Sequence, residues 1–177
     1  MRHIFFIIIC FFLVSCGYQP ISKITTDLLG ENVFVDVVIS KSDPKNSVYI
    51  KDAVREGIVN RLNRNLAKDE KSADSRIYVS INSITFSPLI YDKYGYATTY
   101  KTILVINYQT YFKDGTVNNT TTTGEYDFKI SKKIRNKRFT DSVISDTERY
   151  NAIKNSSNEA FDEYVSKLAI KVYKDDK

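Results

Sequence analysis

Apolar and polar positions change their spacing three times between Val33 and Val172, and each change marks a boundary between elements. VFVDVVIS, Val33 to Ser40, is dense in β-branched residues and reads as a strand. KSDPKNS follows as a turn-rich loop in which Pro44 keeps Asp43 out of the helical region. From Ser47 the spacing becomes four: Ile50, Val54, Ile58, Leu62 and Leu66 recur, Ala53 and Val59 widen the stripe, and Lys51, Arg55, Glu56, Arg61 and Arg64 fall elsewhere. That pattern predicts an amphipathic helix ending near KDEKSADS. Gly57 inside it costs about 1 kcal/mol relative to alanine, which marks it as a place of close packing on a sheet.

The spacing then returns to two. RIYVSINSITF puts Ile77, Val79 and Ile81 on one face and slips phase at Asn82-Ser83, so that Ile84 and Phe86 continue the apolar set, as a β-bulge would allow. After the tip LIYDKYGY, the stretch ATTYKTILVINYQTYFKDG places Leu104, Ile106, Tyr108 and Phe112 on one face and pairs back as a hairpin. Asp114-Gly115 is a turn, and beyond it Tyr126, Phe128 and Ile130 oppose Thr123, Glu125 and Asp127. Ser145 to Glu148 has the form of a capping box, and Ile153, Ala160, Phe161, Tyr164, Leu168 and Val172 mark a second long helix.

The order is thus β-α-β-β-β-α. One apolar stripe per helix and one apolar face per sheet predict an α+β two-layer sandwich, with two helices on one face of a four-stranded, mostly antiparallel sheet.

The first residues follow another rule. Arg2 and His3 form a short basic region, and IFFIIICFFLV is apolar without interruption but shorter than the roughly 20 residues needed to span a bilayer. Leu13-Val14-Ser15-Cys16 then resembles a bacterial lipobox, which divides the chain into a lipoprotein signal at 1–15, a lipidated N-terminus and linker at 16–32, and one domain at 33–177. Cleavage before Cys16 leaves an acylated cysteine as the first residue, and two or three acyl chains there would hold the protein permanently on a membrane. The other reading of Cys16 keeps it, with Cys10, in an apolar membrane anchor.

Cleavage also removes His3, the one histidine, and Cys10, the one other cysteine; the chain has no tryptophan. The mature domain then lacks the side chains for Ser-His-Asp or Cys-His catalysis, for an internal disulfide, and for zinc held by imidazole and thiolate. No catalytic residue, metal ligand or cofactor is expected beyond the lipid on Cys16. Net charge falls from +5 to +4 with Arg2, a mild excess suited to an anionic lipid headgroup or phosphorylated glycolipid, and export makes nucleic acid a poor partner.

The sheet face away from the helices would present Thr102, Asn107, Gln109, Thr121, Thr123 and Glu125, either to solvent or to the polar lumen of an outer-membrane β-barrel. Tyr91, Tyr94, Tyr96 and Tyr100 gather about one hairpin tip, where they either contact a partner or complete the core and shield strand edges. Lys132, Lys133, Arg135, Lys137 and Arg138 form a cationic run, which is a solvated loop or a contact for phosphate.

Taken together, CGYQP, SDPKNSVYIKDAVREGIVNRL, ATTYKTILVINYQTYF and NEAFDEYVSKL resemble the LPS-assembly lipoprotein family LptE. The resemblance implies a non-enzymatic lipoprotein on the periplasmic face of the outer membrane, plugging the barrel of LptD, assisting its assembly and helping lipopolysaccharide reach the cell surface. It also implies lipopolysaccharide contact through basic residues near the hairpin where Lys93 stands; a solvated turn lysine is the other reading. Two rivals remain: an auxiliary or pilotin-like lipoprotein of another envelope lipid-transport or secretion complex, and an enzyme working with paired carboxylates.

Overall fold

The computed structural model describes residues 27–38, 44–131, 133–135, 140–142 and 144–175 of the 177-residue chain. Its strands are β1 (Asn32–Val37), β2 (Asn65–Leu66), β3 (Ser75–Tyr91), β4 (Ala97–Tyr111), β5 (Val117–Lys129), β6 (Lys133–Arg135) and β7 (Thr140–Ser142); its long helices are α1 (Pro44–Asn60) and α2 (Asp146–Asp175). A 3-10 turn covers Glu70–Ser72.

The α+β class holds, but the sheet has five strands rather than four and is mixed. Its order is β2-β1-β3-β4-β5, with β1 parallel to both β2 and β3 and the β3-β4-β5 meander antiparallel. A parallel β1-β3 pair follows from the long crossover through α1, which returns the chain to the end of the sheet where β1 began. The two-residue β2 hides in the sequence because Leu66 also fits the helical stripe. The helix stops at Asn60: Asn63 takes a left-handed φ of 53°, and Arg64 N–H donates back to Ile58 O, closing the helix end. At the other end, α1 starts inside the expected loop, because the fixed φ of Pro44 suits a first helical residue.

β3 carries the expected bulge, since the register steps from Ile81↔Ile106 to Ser83↔Val105 and Asn82 is the extra residue. Pro88 is accommodated in the same strand because β1 pairs with β3 only as far as Val79, so the proline's missing N–H faces an open edge. At the opposite end Leu29 is fully buried and its carbonyl accepts from Ser75 Oγ at 2.7 Å, so packing begins before Val33.

Both helices cover one face of the sheet. The core joins Val33, Val35 and Val37 of β1, Ile50, Val54 and Ile58 of α1, and Leu104, Ile106 and Tyr108 of β4 with Phe161, Tyr164 and Leu168 of α2. Tyr108 and Tyr164 stack at 4.3 Å, and Tyr164 OH shares a 2.7 Å hydrogen bond with Thr110 Oγ1. Burial pushes the acidity of both phenols well below that of an exposed tyrosine, raising each pKa, and a nearby Tyr164 adds to the effect on Tyr108.

Gly57 serves close packing of helix on helix rather than helix on sheet: a Cβ there would stand 2.6 Å from the Phe161 ring of α2. Gly124 is tighter still. A Cβ on it would meet Ser156 O at 1.8 Å and Ala160 N at 2.7 Å, so the backbone of α2 rests directly on β5. Gly124→Ala is therefore expected to cost about 2 kcal/mol or more, a fall in Tm of about 5 °C for a domain of this size. Gly57→Ala should cost less, because an aromatic ring can tilt where a helix backbone cannot; equal thermal shifts for the two variants would contradict this packing.

Candidate functional site

The β3-β4 hairpin projects a tip whose shape comes from one side chain. Asp92 Oδ1 accepts from Tyr94 N at 2.9 Å and Tyr96 N at 3.0 Å, and Gly95 takes a φ of 85° that a larger residue would resist. With Asp92 used in the turn, Lys93 is the tip's exposed charge, its Nζ 5.0 Å from the centre of the Tyr94 ring.

The four tyrosines do not form one surface. Tyr91 and Tyr94 are 56% and 65% exposed at the tip, Tyr96 is half-buried, and Tyr100 turns inward. Tyr100 stacks on Phe128 with ring centres 6.0 Å apart, in a small second core of Phe128, Ile130 and Ala152. Leu89 and Ile90 are exposed beside Tyr91, so the outward surface at the tip is partly aliphatic. Sequence reading passed over these two, although their place just after Pro88 in an alternating strand was the available signal.

Of the cationic run, Lys133 and Arg135 lie on β6, which pairs with β7 as a separate small hairpin; Lys132, Lys137 and Arg138 fall outside the described residues, as does Cys16. The topology brings this basic hairpin to the tyrosine end of the sheet. β5 ends where Lys129 pairs with Thr99 and Ile130 N donates to Thr98 O, at the base of the tip. The start of the described chain is at the opposite end, where Lys113 N donates to Leu28 O beside the Phe112-Thr116 turn.

The capping box is formed at the tyrosine end and reaches further than a cap. Glu148 accepts from Ser145 N and Oγ with one carboxylate oxygen and from Ser131 N and Oγ with the other, at 2.6 to 2.8 Å. It thus fastens the residue leading into β6 to the first turn of α2.

Away from the helices, the sheet face presents Asn107, Gln109, Thr121, Thr123 and Glu125. Thr102 is not among them. It alternates with Leu104 on the inner face, is fully buried, and its Oγ1 has no hydrogen-bond partner among the described residues. A threonine in a strand is compatible with either face, so composition misplaced it.

Residues 34–168 match the family model LptE, described as lipopolysaccharide-assembly. The chain belongs to the LptE family. It is similar in fold to rare lipoprotein B from Shewanella oneidensis, at 15% identity and a TM-score of 0.52 over 83% of this chain and 100% of that one. A protein from Xanthomonas campestris is similar at 9% identity and a TM-score of 0.52, over 82% and 87% of the two chains. Among curated proteins, none matches the sequence.

Membership of LptE gives the chain a role as an envelope lipoprotein of lipopolysaccharide assembly. Among the described residues of this LptE-family chain, no helix is long and apolar enough to cross a membrane, and no group of three or more acidic, histidine or cysteine side chains could hold a metal ion.

Glu148 gives the candidate site a pH dependence. Burial works against its charge, but the hydrogen bonds from Ser145 and Ser131 outweigh burial and hold its pKa at about 2, below the ordinary 4.5. A carboxylate depressed on folding contributes stability that is complete above its ordinary pKa and is lost as pH falls toward the folded value. The junction of β6 with α2 should therefore loosen between about pH 4.5 and pH 2. Glu148→Ala is expected to cost about 1 kcal/mol at neutral pH and to remove this part of the acid dependence, read by thermal melts across that range.

Proposed function

We propose that this chain is an outer-membrane lipoprotein, held on the periplasmic face by lipid on Cys16, that binds and plugs the barrel of LptD. It assists that barrel's assembly and helps lipopolysaccharide reach the cell surface, and it does so as a scaffold, without catalysing a reaction. Membership of the LptE family supports the role; the geometry supports the way it is carried out.

The observation that carries the reading is the opposition of two ends. The chain enters the fold beside Leu28, while the tyrosine tip and the basic β6-β7 hairpin gather at the far end of β3. The 17 residues of β3 span about 55 Å when extended. A tether at one end therefore sets the aromatic and cationic end deep in whatever the domain enters. The face between them is polar, which suits the water and polar wall residues of a barrel lumen.

Tyr91, Tyr94, Leu89 and Ile90 supply the contact with LptD in this reading, because broad rings with a polar end bind well where water is only partly excluded. Lys93 and the run Lys132, Lys133, Arg135, Lys137 and Arg138 supply cations for the phosphates of lipopolysaccharide.

Replacing Tyr91 and Tyr94 together by alanine is expected to lower the LptD recovered with the tagged protein about tenfold while leaving Tm unchanged. Tyr100→Ala should instead lower Tm, because that ring packs on Phe128. Recovery of an inner-membrane complex in place of a barrel would overturn the proposal. Neutralising the five-residue cationic run should weaken lipopolysaccharide binding and flatten its salt dependence; an unchanged salt series would remove that contact from the mechanism.

A further inference from the structure

We propose that the open face of the sheet holds a binding site for the uncharged part of an oligosaccharide, built from Tyr78, Ser80, Asn107, Gln109, Asn119 and Thr121. The proposal rests on the lipopolysaccharide reading only for the natural source of the sugar.

Strand register places these six side chains as a grid. Ser80, Asn107 and Thr121 face one another directly across β3, β4 and β5, and Tyr78, Gln109 and Asn119 form the next rank. They line a groove of about 450 Å³ in which no lining residue is charged, on a chain whose composition is 27% charged. That volume is in the range of small-molecule pockets. The ranks on either side change character: Arg76, Tyr111 and Val117 follow on one side, and Val105 with Thr123 on the other.

The wall of the groove is held in place. Tyr78 OH donates to Glu70 at 2.8 Å, and its ring stands steeply inclined to those of Phe34 and Tyr111, with ring centres 6.4 Å and 5.7 Å apart. Glu70 itself lies in the 3-10 turn capped by Asp69, whose Oδ1 accepts from Lys71 N and Ser72 N. An aromatic ring fixed before binding loses little freedom when a ligand packs on it.

The floor offers hydrogen bonds that are still available. Thr121 Oγ1 donates to Asn107 Oδ1 at 2.8 Å, which leaves the Asn107 amide hydrogens free to point outward. The side chains of Gln109 and Asn119 make no hydrogen bond among the described residues. Each carboxamide presents a donor beside an acceptor, as do two neighbouring sugar hydroxyls, and the face of Tyr78 suits the C–H side of a pyranose ring. A phosphate would call for cations, and no residue lining the groove is charged.

The test uses the full-length chain in detergent micelles, with isotope-labelled asparagine and glutamine side chains observed by NMR. Two probes are titrated separately: lipid-free, dephosphorylated core oligosaccharide, and lipid A. The oligosaccharide is expected to move the amide signals of Asn107, Gln109 and Asn119, and Asn107→Ala with Gln109→Ala to weaken it about tenfold with lipid A binding unchanged. No movement of those signals, or equal affinity in the double variant, would overturn the site while leaving the lipopolysaccharide reading intact. Movement caused by purified LptD and not by the oligosaccharide would overturn it too, in favour of a protein contact. Oligosaccharide binding with no lipid A or lipopolysaccharide binding would support the site and count against the wider reading.

Discussion

The backbone of α2 lies on the backbone of β5 at Gly124, and most of the architecture depends on that approach. A Cβ at this position would stand 1.8 Å from Ser156 O, so the strand can be reached by the helix only where it has no side chain. The helix in turn must be narrow there. Ser156 and Ser157 are fully buried and turn their hydroxyls to their own helix, bonding the carbonyls of Ala152 and Ile153, which satisfies them without adding bulk.

This proximity decides what happens to the edge of the sheet. β5 would otherwise expose a row of unpaired amides, an invitation to further strands. Instead Glu163 accepts from Thr123 N and Glu159 from Glu125 N, each at 2.7 Å, and Lys167 donates to Thr121 O at 2.7 Å. The hydrogen bond from Lys167 is the main reason that the pKa of Glu163 is lowered, so the carboxylate stays charged and keeps the Thr123 amide satisfied. Between Thr121 and Glu125 the edge of β5 is thus covered by side chains of α2.

Much of this was legible in the sequence, because spacing reports burial directly. The alternation of β3 and β4, the slip at Asn82, the turn at Asp114-Gly115, the capping box and the stripe of α2 all follow from single residues whose side chains have one stable place. What could not be read depended on neighbours remote in sequence. Leu66 completes a helical pattern as well as it begins a strand, and only the left-handed Asn63 resolves it. Thr102 gives no sign of its face. The carboxylates of Glu159 and Glu163 look like ordinary solvated charges until β5 is laid beside them. At the candidate site the tip and the cationic run were visible as separate clusters, whereas their common end, and the inward turn of Tyr100, required the pairing of Lys129 with Thr99.

The same pairing bears on how the surfaces can work together. Asn107 is eight residues along β4 from Thr99, a separation of about 26 Å at about 3.3 Å per residue. Screening at physiological salt acts over about 8 Å, so cations at the end where Lys129 meets Thr99 do not set the electrostatics of the uncharged groove. A ligand carrying phosphate at one end and neutral sugars further along could engage both surfaces, each by its own chemistry. The length of the strands would then measure the ligand, by the about 26 Å that part the tip end from the uncharged groove on a single sheet.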